Sequence, residues 1–566
     1  MRIVLLFAAG MSMMYRLPAA EADVAASFMG AAGANSQEQL VSRRAARLTL
    51  VKKPEAPPAV EGAVFNDIDR FIIFRWREKK LSDSAASDPG LCDDSTFLRR
   101  VYLDVIGSVP TLDETKRFLE DAHGDKRARL VDELLARSAD YAAHWTPFWL
   151  DALASNVATT FGGVISRGDH LPWVYSSFVQ NKPYDVFVAE LIDPTMPGFK
   201  KPGHVDILGV RYSVGFLRNR EHKEVLQTAA DVGQVFLGTG MKCASCHSHF
   251  DNDEWPQKRF LAFAGYFNDK DLERIRCEKK SGQFVPAASP FEQPGAPEAA
   301  PADTKARLHL AALLVTDPAN PRFAKTIVNR LWKRFLGLGL FEPADDFRLD
   351  TPASHPALLD WLAYDFLQHG CDLKWTMRLI LTSRTYQLRS DPALEDKLDT
   401  LHPREANRWF RSPAARRLTA EQLLDSIRVV RRQKLEDARR VYRVSEGVPD
   451  KLNSALGRPD IRSEVSTGRS GEVAVVQALE LLNGAKYNEL MNPDLLVTLA
   501  GKEAEPRAIM EIVYLAALQR KPSAAELALG CDFLKESTAD GTVLLREAVS
   551  DMLWSIVTSP AFQYVN

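Results

Sequence analysis

The chain has 566 residues and a net charge of −2, with 46% hydrophobic and 26% charged residues. This composition is typical of a soluble globular protein, and the length is too great for one compact domain. The near-zero charge excludes a general attraction to nucleic acid or to anionic membranes, so we expect no nucleic-acid partner. Six cysteines are too few for a disulfide scaffold in a chain of this size.

Residues 1–22 carry the pattern of a signal peptide. Arg2 provides a positive start, residues 3–15 form an apolar run, and residues 20–22 (Ala-Glu-Ala) fit a cleavage site. The alternatives are an N-terminal helix that stays in the fold and an uncleaved anchor. The pattern predicts export to the periplasm or the extracellular space. No later segment has the roughly 20 apolar residues that a membrane span needs, so we expect no stable span after cleavage.

The rest of the chain divides by composition. Residues 23–60 are rich in Ala, Ser and Pro, which predicts a flexible tether. Helical spacing of apolar side chains predicts a first helical domain over residues 61–278. Residues 279–303 are dominated by Pro, Ala, Gly and Ser, which predicts a linker, and a second helical domain is expected over residues 304–566. The predicted fold class is therefore mainly α, with two helical lobes joined by a Pro/Ala-rich linker.

Short polar motifs predict where several helices begin and end. Capping boxes are expected at three helix starts: Thr111 with Glu114, Thr419 with Gln422, and Ser523 with Glu526. Ser354 is expected to cap a further helix. Glycines are expected to end three helices, at Gly238, Gly337 and Gly370.

The stretch MKCASCHSHFDNDEW, which begins at Met241, places Cys243 and Cys246 three residues apart with His247 directly after them. A random chain of this composition would contain CxxCH only about once in a thousand cases. Thiols at i and i+3 share one face of a helical turn, so both can form thioethers with one haem while His247 ligates the iron as proximal ligand. The motif therefore predicts haem c as cofactor. Export agrees with this, since covalent haem attachment takes place on the exported side of a bacterial membrane.

A distal haem ligand would come from elsewhere in the fold. Met196 lies in a Pro-flanked loop (DPTMPGF) that can present a thioether, and it is our candidate distal ligand. His204 and His222 are rivals. A methionine in a loop more often serves only in packing.

Two other interpretations of the motif stay open. Zinc could be bound by the two cysteines with His249 or Cys277, although the second compact ligand pair of a typical zinc site is missing. A disulfide between Cys243 and Cys246 needs only an oxidising compartment, but it leaves His247 unexplained.

Other polar residues are weaker candidates. Carboxylates for glycosidase-type acid/base chemistry could come from Asp345, Asp346, Asp251, Asp253 and Glu254. Sulfate or carboxylate groups of a glycan could be bound by Arg404, Arg408, Arg411, Arg416 and Arg417. His355 is expected in the first turn of its helix. Such residues more often form solvated faces or ion pairs than sites.

Long motifs carry a family resemblance. FRWREKKL, FLRRVYLDVIGSVPTLDETKRFL and LGTGMKCASCHSHFDNDEW resemble the planctomycete cytochrome-like domain DUF1549. NPRFAKTIVNRLWKRFLGLGLFEPADDF, RRLTAEQLLDSI and VVQALELLNG resemble its usual companion, DUF1553. The motifs span most of residues 61–530. The chain departs from the usual pattern in lacking a further cytochrome-like module before Phe65, an inserted carbohydrate-binding-like domain, and the proline that commonly follows His249.

The resemblance implies an exported protein of planctomycetes or related bacteria, and the association of such proteins with sulfatase-like proteins implies a link to polysaccharide breakdown. We therefore expect an exported c-type haem protein that passes electrons to an unidentified redox partner or supports an oxidative step in polysaccharide catabolism. The alternative is a haem-free surface protein that binds or processes anionic polysaccharide, with the CxxC pair as a structural disulfide. The sequence indicates no catalytic residue and leaves open whether the chain is an enzyme.

Overall fold

The computed structural model describes residues 36–81, 90–154, 170–193, 196, 225–249, 252–276, 279–348, 350–396, 408–432, 451–459, 469, 475–500, 505–539 and 544–565. These residues are mainly helical, with two short two-stranded sheets, which confirms the prediction of a mainly α fold. The expected signal peptide over residues 1–22 lies outside the described residues. No described helix is both long and apolar enough to cross a membrane.

The helices of the first half of the chain are between 8 and 15 residues long. They are α1 (Ser36–Leu48), α2 (Asp67–Glu78), α3 (Asp94–Val105), α4 (Leu112–Glu120), α5 (Lys126–Ala136), α6 (Ser138–Ala152), α7 (His170–Val179), α8 (Tyr184–Ile192), α9 (Val225–Leu237) and α10 (Gln257–Ala264). A 3₁₀ turn, Lys242–Ser245, lies between α9 and α10. An antiparallel hairpin of β1 (Leu272–Arg276) and β2 (Lys279–Val285) follows.

The second half is helical again. Its helices are α11 (Thr304–Val315), α12 (Phe323–Leu336), α13 (Pro356–Gln368), α14 (Leu373–Leu381), α15 (Ala420–Arg432), α16 (Lys451–Ala455), α17 (Val475–Asn483), α18 (Ala485–Asn488), α19 (Asp494–Ala500), α20 (Pro506–Leu518), α21 (Ala524–Thr538), α22 (Leu545–Thr558) and α23 (Pro560–Gln563). Two short strands, β3 (Arg416–Arg417) and β4 (Tyr564–Val565), pair antiparallel.

All three predicted capping boxes are confirmed. In the first, the Thr111 hydroxyl accepts from the Glu114 amide at 3.3 Å, and the Glu114 carboxylate accepts from the Thr111 amide at 2.8 Å. The other two show the same reciprocal pattern. The predicted Ser354 cap is wrong, because His355 occupies the N-cap and Pro356 the first position of α13. The proline ring presets a helical φ there, and its missing N–H would have had no partner within the helix.

Gly238 ends α9, as predicted. Its φ is +57°, in the left-handed region that favours glycine. A Cβ at this position would also lie only 2.7 Å from the Thr326 hydroxyl oxygen on α12. Conformation and close packing therefore both require glycine at the start of the loop that leads to Cys243.

The buried side chains do not divide as the two expected lobes do. One main core includes residues from Leu40 to Phe410, and so combines elements from both sides of the expected linker. A second core combines residues 418–565 with Leu103 and Val109 from the first half. The boundary between the cores therefore follows residue 410, because α11 to α14 pack against the helices of the first half rather than against those that follow.

The segment expected to be a linker, residues 279–303, packs against the main core. The Phe291 ring lies edge-on to Trp255, with centroids 6.0 Å apart, and is 8% exposed. The Gln293 side-chain amide donates to the Leu314 carbonyl of α11 at 2.8 Å. These contacts fix a loop that composition alone predicts to be free.

The segment expected to be a flexible tether, residues 23–60, contains helix α1. Arg43 and Arg47 on this helix are buried, and both donate to the Asp317 carboxylate, at 3.0 and 2.6 Å. Two guanidinium groups on one buried carboxylate fix α1 to the second half of the chain. Composition could not show this, because the partner lies 270 residues further on.

Candidate functional site

The CxxCH motif forms one compact turn on the surface. The amides of Cys246 and His247 both point to the Cys243 carbonyl, with nitrogen–oxygen distances of 3.4 and 3.5 Å. Cys243, Cys246 and His247 are all exposed. The structure thus brings the three predicted haem-binding side chains together on one turn.

The inner side of this turn is anchored in the core. Met241 is 1% exposed and packs on α9, where a Cβ on Gly233 would lie 2.5 Å from its sulfur. Ala244 is fully buried. From α10, the Gln257 side-chain amide donates to the carbonyls of Ser245 at 3.4 Å and Ile275 at 2.8 Å. Core packing and a hydrogen bond from α10 therefore fix the backbone of the turn, while its two thiols and its imidazole are exposed to solvent.

The polar groups of the turn suit metal ligation. The Nδ1 atom of His247 lies 2.7 Å from the Ser248 carbonyl oxygen, so in the neutral ring Nδ1 carries the proton and Nε2 carries the lone pair. A hydrogen bond of this kind fixes the tautomer of histidines that bind metals. The thiols of Cys243 and Cys246 are both exposed and form no disulfide in this structure.

The structure places the other predicted ligands as follows. Met196 is 4% exposed and belongs to the main core, a setting in which a thioether packs as an apolar side chain; its role as distal ligand stays a prediction. His204, His222 and Cys277 lie outside the described residues. Among the described residues there is no cluster of three or more His, Cys, Asp or Glu side chains that could hold a metal ion.

A loop of the second half clamps the segment that carries the motif. The Phe347 amide donates to the Gly238 carbonyl at 2.5 Å, and the Gly240 amide donates to the Asp346 carboxylate at 3.2 Å. Asn252, just beyond the motif, donates to the Phe347 carbonyl at 3.5 Å. This contact was missed by the sequence analysis, since nothing in the spacing of either motif indicates that they touch.

The predicted carboxylates serve mainly in ion pairs. Asp345 accepts from Arg330 at 2.8 Å, Asp346 from Arg348 at 2.5 Å, and Glu254 from Arg322. Asp253 is exposed, and Asp251 lies outside the described residues. Each of these three carboxylates is engaged by an arginine within the fold, whereas a glycosidase needs two carboxyl groups that face one substrate. The geometry therefore favours a structural role for the three paired residues.

The predicted arginine cluster is dispersed. Arg408 is buried and donates to the carbonyls of Gly339 and Leu340, both at 3.0 Å. Arg411 is partly buried, and Arg404 lies outside the described residues. Arg408 and Arg411 therefore do not form an exposed glycan-binding patch within the described fold.

Arg416 and Arg417 of the same cluster instead line a cavity of about 240 Å³ between α6, α12 and the start of α15. Further residues complete this cavity that the sequence does not indicate, including Arg334, Arg469 and Glu421. They are far apart in the chain, and no local motif marks them as neighbours.

His355 is buried and neutral. It is 3% exposed, and its Nδ1 lies 3.1 Å from the Ser354 hydroxyl oxygen. Burial lowers its pKa to about 3, and the nearby charges of Arg75 and Arg408 act in the same direction. An imidazole enclosed in this way acts in packing rather than in binding a ligand.

Comparison with known families accounts for most of the chain. The model described as protein of unknown function DUF1549, named PSCyt2, matches residues 67–271, and the model described as protein of unknown function DUF1553, named PSD1, matches residues 306–534. No curated protein and no solved structure matches the chain. The CxxCH turn lies in the first match and the clamping loop in the second. The chain therefore belongs to the family of proteins in which a DUF1549 domain is followed by a DUF1553 domain.

Proposed function

We propose that the protein is an exported c-type haem protein that transfers electrons or supports an oxidative step. The observation that carries this proposal is the surface turn on which two exposed thiols and an exposed imidazole lie together. Cys243 and Cys246 would hold haem c by thioether bonds, and His247 would be the proximal ligand. When bound, the haem supplies a one-electron iron couple.

The residues around the turn have clear tasks in this proposal. The Ser248 carbonyl holds the His247 tautomer that presents Nε2 as the ligating atom. Met241 and Ala244 keep the backbone of the turn fixed against the core, so the two thiols keep their spacing. Because all three reactive side chains are exposed, an attachment enzyme and a redox partner protein could both reach them.

The link to polysaccharide catabolism and the periplasmic or extracellular location are parts of the same proposal. They are supported by the signal-peptide pattern of residues 1–22 and by the association of the family with sulfatase-like proteins. N-terminal sequencing of the protein recovered from the periplasm of an expression host tests the location: cleavage after residue 22 is expected, and an intact Met1 in the cytoplasm would oppose it.

The decisive experiment is expression of the full chain in a host with haem-attachment machinery, followed by a pyridine haemochrome spectrum. We expect one covalent haem per chain, located by mass spectrometry on the tryptic peptide of residues 243–258. Replacing both Cys243 and Cys246 by Ser should abolish it. Cys531→Ser is the matched control, because Cys531 is partly buried and far from the turn in sequence; it should leave the haem content unchanged.

Two results would count against the proposal. If the peptide of residues 243–258 carried a disulfide and no haem, the haem-free alternative would replace it. If haem were attached but His247→Ala left the low-spin spectrum unchanged, the proximal-ligand assignment would be lost while covalent attachment stood.

A further inference from the structure

The cavity of about 240 Å³ has no residue of the CxxCH turn in its lining, and nine charged side chains contribute to its wall. Its cationic residues are Arg330, Lys333, Arg334, Arg416, Arg417 and Arg469, and its acidic residues are Asp151, Glu421 and Asp425. Helix α6 contributes the apolar side of the wall, including Ala143, Pro147 and Phe148. A charged group that lies beneath the protein surface loses hydration, and a partner of opposite charge is needed to offset that cost.

Most of the cations have such a partner. Arg330 pairs with Asp345 at 2.8 Å, Lys333 with Glu342 at 2.9 Å, and Arg416 with Asp104 at 2.8 Å. Arg469 joins two acids, Asp151 at 2.7 Å and Glu421 at 2.6 Å. These pairs form a stable frame around the cavity.

Arg334 is one of two exceptions. Its guanidinium donates no hydrogen bond and forms no ion pair in the part of the chain that the structure describes; it lies 5.8 Å from the Trp145 ring centroid and 5.7 Å from that of Phe148. Burial lowers its pKa to about 10, and the charges of Arg416 and Arg469 act in the same direction. The rings hold the planar group in place by cation–π attraction, which leaves its N–H donors for another acceptor.

Arg417 is the second cation without a carboxylate within the described fold. It donates to the side-chain oxygens of Gln477 at 2.6 Å and Gln563 at 3.5 Å, both neutral groups. The cavity therefore carries two guanidinium groups that form no ion pair with a described acid, although the nearby charges of Asp104 and Glu421 act to raise the pKa of Arg334. These two residues come from different elements, α12 and β3, and both line the same cavity.

We propose that this cavity binds a tetrahedral oxyanion, sulfate or phosphate, either free or as an ester on a small molecule, with Arg334 as the principal donor. A guanidinium offers paired N–H groups in a planar fork that matches two oxygens of such an anion. The volume is at the small end of ligand pockets, which suits a single anionic group rather than an extended chain. This site is independent of haem attachment.

The test measures the melting temperature and the binding isotherm of the full chain with sodium sulfate, inorganic phosphate, glucose 6-sulfate and glucose. Sodium chloride at equal ionic strength is the reference. We expect sulfate or phosphate to raise the melting temperature, and Arg334→Gln to weaken binding by about 10- to 100-fold, the usual effect of losing a charged hydrogen bond. Arg507→Gln is the control, since the side chain of Arg507 is 72% exposed on α20; it should bind as the wild type does.

The four ligands distinguish a site for the free oxyanion from a site for its ester. Binding of both inorganic anions and the sugar sulfate indicates a site for the oxyanion itself, and binding of the sugar sulfate alone indicates an ester. Arg334→Lys keeps the charge but loses the fork, and intermediate affinity is expected even if Arg334→Gln does not fold. No effect beyond sodium chloride, binding of glucose alone, or wild-type affinity in both Arg334 variants would overturn the proposal.

Discussion

The Asp104 carboxylate accepts hydrogen bonds from both terminal nitrogens of Arg416, at 2.8 and 2.9 Å, although the two residues are 312 positions apart. Asp104 is 1% exposed and also accepts from the Tyr386 hydroxyl at 2.8 Å. Asp104 lies in the DUF1549 segment and Arg416 in the DUF1553 segment. The two segments therefore share a buried polar network as well as an apolar core.

Asp104→Asn should lower the free energy of unfolding by about 3–5 kcal/mol, because it leaves the Arg416 guanidinium partly buried without its counter-ion. Urea unfolding measures the change. Asp132→Asn is the control: Asp132 forms a similar two-bond pair with Arg378, but both side chains are almost half exposed, and its loss should cost less than about 1 kcal/mol. Equal losses in the two variants would show that the buried pair does not join the segments energetically.

His355 should make the protein sensitive to acid. Its folded-state pKa is about 3, below the ordinary value of 6.5. Between these two pH values the unfolded state therefore binds a proton at this imidazole, whereas the folded state does not. The contribution to stability is complete above about pH 6.5 and falls by about 1.4 kcal/mol per pH unit as the pH drops toward 3. Unfolding by urea between pH 7 and pH 4 should therefore show a shallower acid slope for His355→Phe than for the wild type.

Ser354→Ala is the control for that measurement. It removes the hydroxyl beside Nδ1 but keeps the buried imidazole, so it should change stability while keeping the acid slope. A His355→Phe variant with the slope of the wild type would assign the acid sensitivity to other groups.

Gly238→Ala should destabilise the loop that leads to the CxxCH turn. Alanine would have to adopt a φ of +57°, which costs about 1 kcal/mol, and its methyl would meet Thr326 at 2.7 Å. Gly90→Ala separates these effects, since Gly90 has a φ of +73° but open space around its Cα. We expect thermal unfolding to give a clearly lower melting temperature for Gly238→Ala than for Gly90→Ala. The same melting temperature for both would mean that Thr326 moves aside without cost.

Features that depend on near neighbours in the chain were predictable. The capping box of Thr111 and Glu114 and the helix stop at Gly238 follow from the preferences of single turns, and both are confirmed. The spacing of Cys243 and Cys246 likewise predicts a shared turn, and the structure forms one. In each case the interacting residues lie within a few positions of each other, so a short stretch of sequence is enough to predict the interaction.

Features that depend on distant partners were not predictable. Arg47 and Asp317 are individually ordinary charged residues, and only the fold shows that they are buried together. Asp346 was singled out as a carboxylate, but its bond to the Gly240 amide depends on how two loops 106 residues apart approach each other. Pro and Ala in residues 279–303 predicted a linker because composition cannot report the contacts that the loop makes.

The main core also sets the order of events as the chain is made. It runs from Leu40 to Phe410, so it cannot close until the polypeptide has emerged past residue 410. The thiols at Cys243 and Cys246 emerge about 160 residues earlier, which at ribosomal speed is roughly 8 to 30 s. The core on which the CxxCH turn rests is therefore completed only well after both thiols have been synthesised.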